Sequence, residues 1–336
     1  MQRLAQLENW LKTELPEQRF ELAPASADAS FRRYFRLTDT ATGHTRVVMD
    51  APPEHEDCRP WLTVRALFSE AGVHVPQVHA ADIEQGFVLM SDLGTRTYLD
   101  VLDPAAPEQA APLYADALGS LIALQRISRP GVLPEYDHAL LMREMRLFPE
   151  WYVGKHLGLD LDESNLAMLE NLFERIAAVN LAEPKVFVHR DYHSRNLMYQ
   201  TGDTPGVIDF QDAVYGPLSY DLVSLLKDAY IRWDEEFTLD LLIRYWEAAR
   251  SLGLPVRSEF ADFHREYEWM GVQRHLKVLG IFARLSHRDG KHGYLDDLPR
   301  VLDALRRTCE RYGELRPLLK LLDRVAPREV TVGYTF

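Results

Sequence analysis

Cysteine is almost missing from this chain: Cys58 and Cys309 are the two in 336 residues. They stand far apart and without metal-ligand spacing, which excludes a disulfide framework and a cysteine-held zinc site and fits a reducing compartment. Long apolar runs are absent as well, and no uninterrupted stretch reaches membrane-spanning length. The opening MQRLAQLENWLKTELPEQ is amphipathic, carries acids and has no apolar centre, unlike a secretory leader. Positive charge is scarce: 38 Lys and Arg stand against 51 Asp and Glu, a net charge of −13. A broad basic footprint for nucleic acid or an anionic membrane is thereby excluded. These absences predict a cytoplasmic chain with no nucleic acid, no membrane and no obligate protein partner. Any phosphate it binds must be met by local dipoles, a metal ion or a few placed arginines.

What is present is the composition of a packed protein, 46 % hydrophobic and 26 % charged, in a length that suits two lobes better than one core. Leu4, Leu7, Trp10, Leu11 and Leu15 recur at helical spacing before Pro16. Then FELAPASADASFRRYFRLTD and HTRVVMDAPP read as an antiparallel meander, separated by the turn-like TATG. A helix over 58–71 ends at Gly72, and HVPQVHAADIEQGFVLMSDLG holds two more strands. From Pro107 helical patterns dominate, over 108–126, 136–156, 163–179, 220–231, 235–252, 258–286 and 298–322. One β insert, 186–210, interrupts them. The expected fold class is α+β and bilobal: a β-rich N-lobe over 1–95 and a mainly helical C-lobe over 96–336 that carries a β-hairpin.

That insert holds the chemistry. VFVHRDYHSRNLMYQ breaks a strand open at His189-Arg190-Asp191 and closes it after Asn196, and Asp209 ends the run GVI further on. Asp and Asn are poor strand formers and costly to bury unpaired, so packing alone does not call for them. The oxygens of Asn196 and Asp209 suit Mg²⁺, which takes one or two protein ligands and completes its shell with water and phosphate. Asp191 is left over as a carboxylate able to receive a proton from a hydroxyl nucleophile. His-Arg-Asp-x-x-x-x-Asn followed by Asp209-Phe210 matches the catalytic template of kinases, with Gln211 where protein kinases carry glycine.

VHRDYHSRNL with GVIDFQDAVYGPLSYDL resembles the aminoglycoside phosphotransferase and choline-kinase-like family of small-molecule kinases, which implies a protein-kinase-like fold. The resemblance implies that Asp221 braces the catalytic loop from below; simple capping of its own helix is the alternative. ADASFRRYFR, VVMDAPPE, FVLMSDLG and REMRLFPEWY, taken with VHRDYHSRNL, are similar to the anomeric kinases of N-acetylmuramate and N-acetylglucosamine used in peptidoglycan recycling, over essentially the whole chain. That implies ATP and Mg²⁺ as cofactors and a sugar 1-phosphate as product. An aminoglycoside, choline, thiamine or homoserine kinase of the same fold is an alternative, as is a pseudokinase that binds nucleotide without turnover.

For a kinase, the nucleotide side departs from the usual pattern. Ser30, Phe31, Arg32 and Tyr34 occupy the place of a Gly-rich phosphate loop, yet this stretch has no glycine to let backbone N–H groups close on phosphate. The strand HTRVVMDAPP offers Met49 or Asp50, depending on register, where a phosphate-binding lysine belongs. An acid there calls for a compensating cation, and Arg32 is the expected source, with Tyr34 roofing the adenine; solvated arginines on an edge strand are the alternative. Backbone around Met90, Ser91 and Asp92 is expected to meet the adenine edge. On the acceptor side, Arg195 is expected to neutralise developing phosphoryl charge, and Glu144, His193, Arg274 and Lys277 to contact the sugar. Arg284 shares a helix face with Gln273 and Lys277.

Overall fold

The computed structural model describes residues 2–27, 31–202 and 204–328; Ser30 lies outside them. The chain divides into two compact units. The first comprises Met1–Val101, Asp116–Leu124 and Arg195–Asp212, and the second Leu102–Ala115, Gln125–Ser194 and Ala213–Phe336.

In the first unit, helix α1 (Gln2–Glu14) precedes strands β1 (Phe20–Ala27), β2 (Arg33–Asp39) and β3 (Thr45–Asp50). Helix α2 (Arg59–Glu70) and strands β4 (Val78–Asp82) and β5 (Phe87–Ser91) follow. The strands form one antiparallel sheet in the order β1-β2-β3-β5-β4. Side chains alternate across a strand, so Leu37, Val48, Phe87 and Leu89 share one face, where Leu7, Trp10 and Leu11 of α1 cover them in a buried core. The register sets Arg33 opposite Asp50 and Tyr34 opposite Met49. Asp50 therefore lies on the face that α1 covers, and Met49 on the other, which settles the ambiguity left by the sequence.

A short helix α3 (Tyr98–Val101) leads to α4 (Pro107–Arg126), α5 (His138–Met145) and α6 (Glu163–Leu181). The helix expected over 136–156 is broken: α5 stops, and Phe148–His156 continues as a π-helical segment with Pro149 in its first turn. Proline removes a helical donor and clashes with the preceding turn, so a switch of hydrogen-bond pattern there is expected. The β insert is also not a single hairpin. β6 (Lys185–Val188) pairs with β9 (Val214–Pro217), while β7 (Leu197–Met198) pairs with β8 (Gly206–Val207), making two separate antiparallel ribbons.

Helices α7 (Tyr220–Leu226), α8 (Glu235–Ser251) and α9 (Phe260–Asp289) continue the second unit, and a 3₁₀ turn (His292–Asp297) leads to α10 (Leu298–Arg311). The helix expected over 298–322 also divides, because Gly313–Leu315 is a 3₁₀ turn and Pro317 opens α11 (Arg316–Val325). Thirty-residue α9 is the spine of this unit, flanked by α5, the π-helical segment, α6, α7 and α10. It comes so close to the π-helical segment that a Cβ on Gly280 would sit 2.4 Å from the Leu147 carbonyl carbon.

Candidate active site

The first unit carries the candidate metal ligands. Asn196 precedes β7 and Asp209 follows β8, and the pairing Leu197↔Val207 brings the two ends together. The Ile208 N–H donates to the Asn196 carbonyl at 3.1 Å. Asn196 Nδ2 donates to Asp209 Oδ2 at 3.3 Å, and Gln211 Nε2 to Oδ1 at 2.9 Å. Phe210 is fully buried, with its ring 5.2 Å from Trp61 and 5.5 Å from Phe68 of α2. Burying that ring holds Asp209 in a left-handed conformation, φ 63°, which costs a non-glycine residue energy and marks positions fixed by their surroundings. Turned over, the Asn196 amide offers an oxygen beside the Asp209 carboxylate, a hard donor pair that fits Mg²⁺ with phosphate and water as further ligands. Among the described residues, no group of three His, Cys, Asp or Glu forms a metal site.

Asp50 is fully buried and takes Arg3 Nε on one oxygen at 2.8 Å and the Arg33 guanidinium on the other. The compensating charge that an acid on β3 demands thus comes from Arg33 across the ladder and from Arg3 of α1, which also lies over the Phe87 ring. Neither was legible as its partner, since Arg3 is distant in sequence and Arg33 was separated from Arg32 by register alone. Arg32 and Tyr34 are half-buried and Phe31 is 63 % exposed. Met90 is buried, the Ser91 N–H donates to Gln77 O at 2.8 Å, and Asp92 holds Arg36 Nε at 2.6 Å. Arg195 is exposed.

The second unit holds Asp191 on the loop after β6. Asp221, fully buried in α7, accepts from the backbone N–H of His189 at 2.6 Å and of Arg190 at 3.0 Å. This is the brace the sequence suggested, and it secures a second left-handed residue, Arg190 at φ 78°. Burial pushes the Asp221 carboxyl up to about 6, partly offset by His189 and the two N–H donors. The Asp191 N–H donates to His189 Nδ1 at 3.2 Å, and the Ser194 N–H to Asp228 at 2.8 Å, so the loop is held at both ends. Nothing in the sequence around Asp228 signalled that role.

Glu144 is the hub beneath this loop. It takes Arg190 Nη2 at 2.7 Å, Gln273 Nε2 at 3.0 Å and the Tyr136 hydroxyl, with Lys277 Nζ at 3.4 Å. Burial works against its charge, but Lys277 and Arg190 outweigh it and hold the carboxyl below its ordinary range. Lys277 Nζ donates to the Tyr220 hydroxyl at 2.7 Å, and Arg274 Nη1 to the Arg190 carbonyl at 2.7 Å. Arg274 Nη2 lies 3.6 Å from Asp191, whose side chain is 41 % exposed. Desolvation by the loop opposes the Asp191 charge, yet Lys277 and Arg274 dominate and keep it ionised far below the usual carboxylate range. His193, its Nδ1 buried without a hydrogen bond, is pushed down to about 4 by burial and is neutral, with its ring 5.2 Å from Tyr230. The arrangement is an ionised, part-exposed carboxylate on a rigid loop, clamped by charge from α9.

Residues 21–263 match the phosphotransferase enzyme family. The chain is 52 % identical over 338 residues, and 100 % of both chains, to the N-acetylmuramate/N-acetylglucosamine kinase of Neisseria meningitidis serogroup B. It is 48 % identical to the kinase of the same name from Pseudomonas aeruginosa, over 95 % of this chain and 96 % of the relative. Among solved structures, choline kinase LicA from Streptococcus pneumoniae superposes with a TM-score of 0.64 at 13 % identity, covering 90 % of this chain and 99 % of the other. ADP-bound aminoglycoside phosphotransferase APH(2'')-Ib gives 0.60 at 16 % identity, covering 90 % and 98 %. These two likenesses show the bilobal kinase-like fold, with its β-sheet N-terminal and helical C-terminal regions. The match over 21–263 and the full-length relatives identify the chain as a member of the phosphotransferase enzyme family.

Proposed function

We infer that this protein is an ATP-dependent kinase that phosphorylates the anomeric hydroxyl of N-acetylmuramate, N-acetylglucosamine or both, in the recycling of cell-wall sugars in the cytoplasm. The observation that carries this reading is the 52 % identity, over the full length of both chains, to a relative of that name. The catalytic loop supports it. An anomeric hydroxyl is more acidic than an ordinary alcohol and asks little of a base, and Asp191, held ionised by Lys277 and Arg274, is a weak base but a firm hydrogen-bond acceptor.

Asp191 accepts the hydrogen bond of the acceptor hydroxyl and orients its oxygen. That oxygen bonds to the γ-phosphorus, the bond from phosphorus to the bridging oxygen breaks, and ADP leaves with the electron pair. The hydroxyl proton passes to Asp191 or to water as the new P–O bond forms. Asn196 and Asp209 are the residues that would hold Mg²⁺, which when bound neutralises phosphate charge. Arg195 supplies a further positive charge for the transferring group. Arg32, Tyr34 and the backbone of Met90 to Asp92 are the proposed nucleotide contacts, with Phe31 at the loop tip.

Phosphorus NMR of the product tests the reading: a sugar 1-phosphate resonance coupled to the anomeric proton is expected with either sugar. Phosphate on another oxygen, or turnover of neither sugar, overturns it. Asp209→Asn should abolish Mg²⁺-dependent turnover while keeping the wild-type melting temperature.

A further inference from the structure

Arg274 and Lys277 are already engaged by the loop and by the residues beneath it: Arg274 faces Asp191 and the Arg190 carbonyl, and Lys277 faces Tyr220 of α7 and Glu144 of α5. An acceptor that brings its own negative charge needs another cation. Residues three and four apart share a helix face, so Arg274, Lys277, Val278, Ile281, Arg284, Leu285 and Arg288 make one stripe along α9. Burial falls steadily along it: Arg274, Lys277 and Val278 are buried, Ile281, Arg284 and Leu285 are half-buried, and Arg288 is exposed. The stripe runs from its buried end at Arg274, beside Asp191, to its exposed end at Arg288. On one side stands Tyr230, half-buried, with its ring 5.2 Å from His193 and 5.8 Å from Phe282. On the other lies the π-helical segment with half-buried Trp151.

Arg284 is the exceptional residue on this stripe. It forms no ion pair or hydrogen bond with the described residues, and its Nε is sealed from solvent without an acceptor. The carboxylates that face it are Glu150, which does not close an ion pair, and Asp289, which is engaged by Arg288 Nε at 2.7 Å. Burial and the neighbouring Arg288 charge weaken its hold on its proton. Leaving a guanidinium N–H buried and unmet is costly, and a carboxylate that accepts from it removes that cost.

We propose that Arg284 binds the carboxylate of an acidic amino sugar, the lactyl group of N-acetylmuramate, and so sets the preference for it over N-acetylglucosamine. The proposal rests on the function inferred above. Ten residues of α9, about 15 Å of rise, separate Arg274 from Arg284, a span that one amino-sugar ring, its lactyl arm and an arginine side chain can fill.

Steady-state kinetics on both sugars test it, using Arg284→Gln and Arg284→Lys alongside the wild type, with melting temperatures as the check on folding. The ratio of kcat/KM for N-acetylmuramate over N-acetylglucosamine should fall about tenfold or more in the Gln variant, through KM for the acidic sugar, the loss expected of one charge-assisted contact. The Lys variant should recover part of the ratio. A ratio in the Gln variant within about twofold of wild type, or equal losses on both sugars, overturns the assignment of Arg284 and leaves the kinase reading standing. A wild-type enzyme that turns over neither sugar overturns both.

Discussion

Replacing Asp221 by Asn removes one negative charge from beneath the catalytic loop and little else, which makes it the sharpest test of how that loop is held. The carboxylate now accepts from the N–H groups of His189 and Arg190 at 2.6 and 3.0 Å in a fully buried setting. Asparagine retains one acceptor oxygen and turns an NH₂ toward the second N–H. One bond to a charged acceptor is lost and a buried donor is left unmet, together about 2–4 kcal/mol. At about 2–4 °C per kcal/mol for a unit of this size, the melting temperature should drop by about 4–16 °C. Catalysis should suffer as well, because Arg190 keeps its left-handed φ of 78° only while both N–H groups are captured. If the residue relaxes toward an ordinary conformation, Asp191 moves with it, and a displacement near 1 Å costs about a hundredfold in rate. Calorimetry and kcat at saturating ATP and sugar read the two effects. A variant with the wild-type melting temperature and kcat would refute the brace.

Two further outcomes follow from buried features of the second unit. Glu183 is buried against the Ser219 N–H and hydroxyl, both at 2.9 Å, and burial pushes its carboxyl up to about 8. A raised value means the folded state holds the proton more tightly. That contribution to stability is complete below about 4.5 and is lost as pH rises through about 8. Glu183→Gln should therefore gain on the wild type in urea midpoint as pH rises across this window, and a constant difference would contradict the assignment. Gly280→Ala should destabilise by about 1–3 kcal/mol or more, because its Cβ would meet the Leu147 carbonyl carbon at 2.4 Å and the oxygen at 2.6 Å. An unchanged melting temperature would show that α9 and the π-helical segment are not in the contact described.

The catalytic loop was legible because its chemistry restricts residue type and spacing at once. Asp191, Asn196 and Asp209 stand out as candidates from a single line of sequence, and the helices whose apolar residues keep one period are read the same way. The β3 register was not legible, since a slip of one residue exchanges Met49 and Asp50 between the two faces of the sheet and both choices satisfy the pattern. Only the ladder Arg33↔Asp50 and the cover of α1 decide it. Glu144 reads as a sugar contact because an acid among apolar neighbours needs a partner, but that pattern cannot say which partner it has. Its partners Arg190 and Gln273 stand 46 and 129 residues away, and no local periodicity encodes contacts at such separations. The two ribbons within 185–217 escaped for a related reason, because strands of two to four residues carry too little alternation to reveal their pairing.

The capture of two loop amides by Asp221 also bears on hydrogen exchange. His189 and Arg190 follow the last residue of β6, so no strand partner protects their N–H groups, and loop amides of this kind normally exchange quickly. Here each proton is released only when a carboxylate in α7 lets go, and every residue of α7 is buried. The loop amides should therefore exchange at the slow rate of the helix beneath them, so that loop and helix open as one cooperative segment.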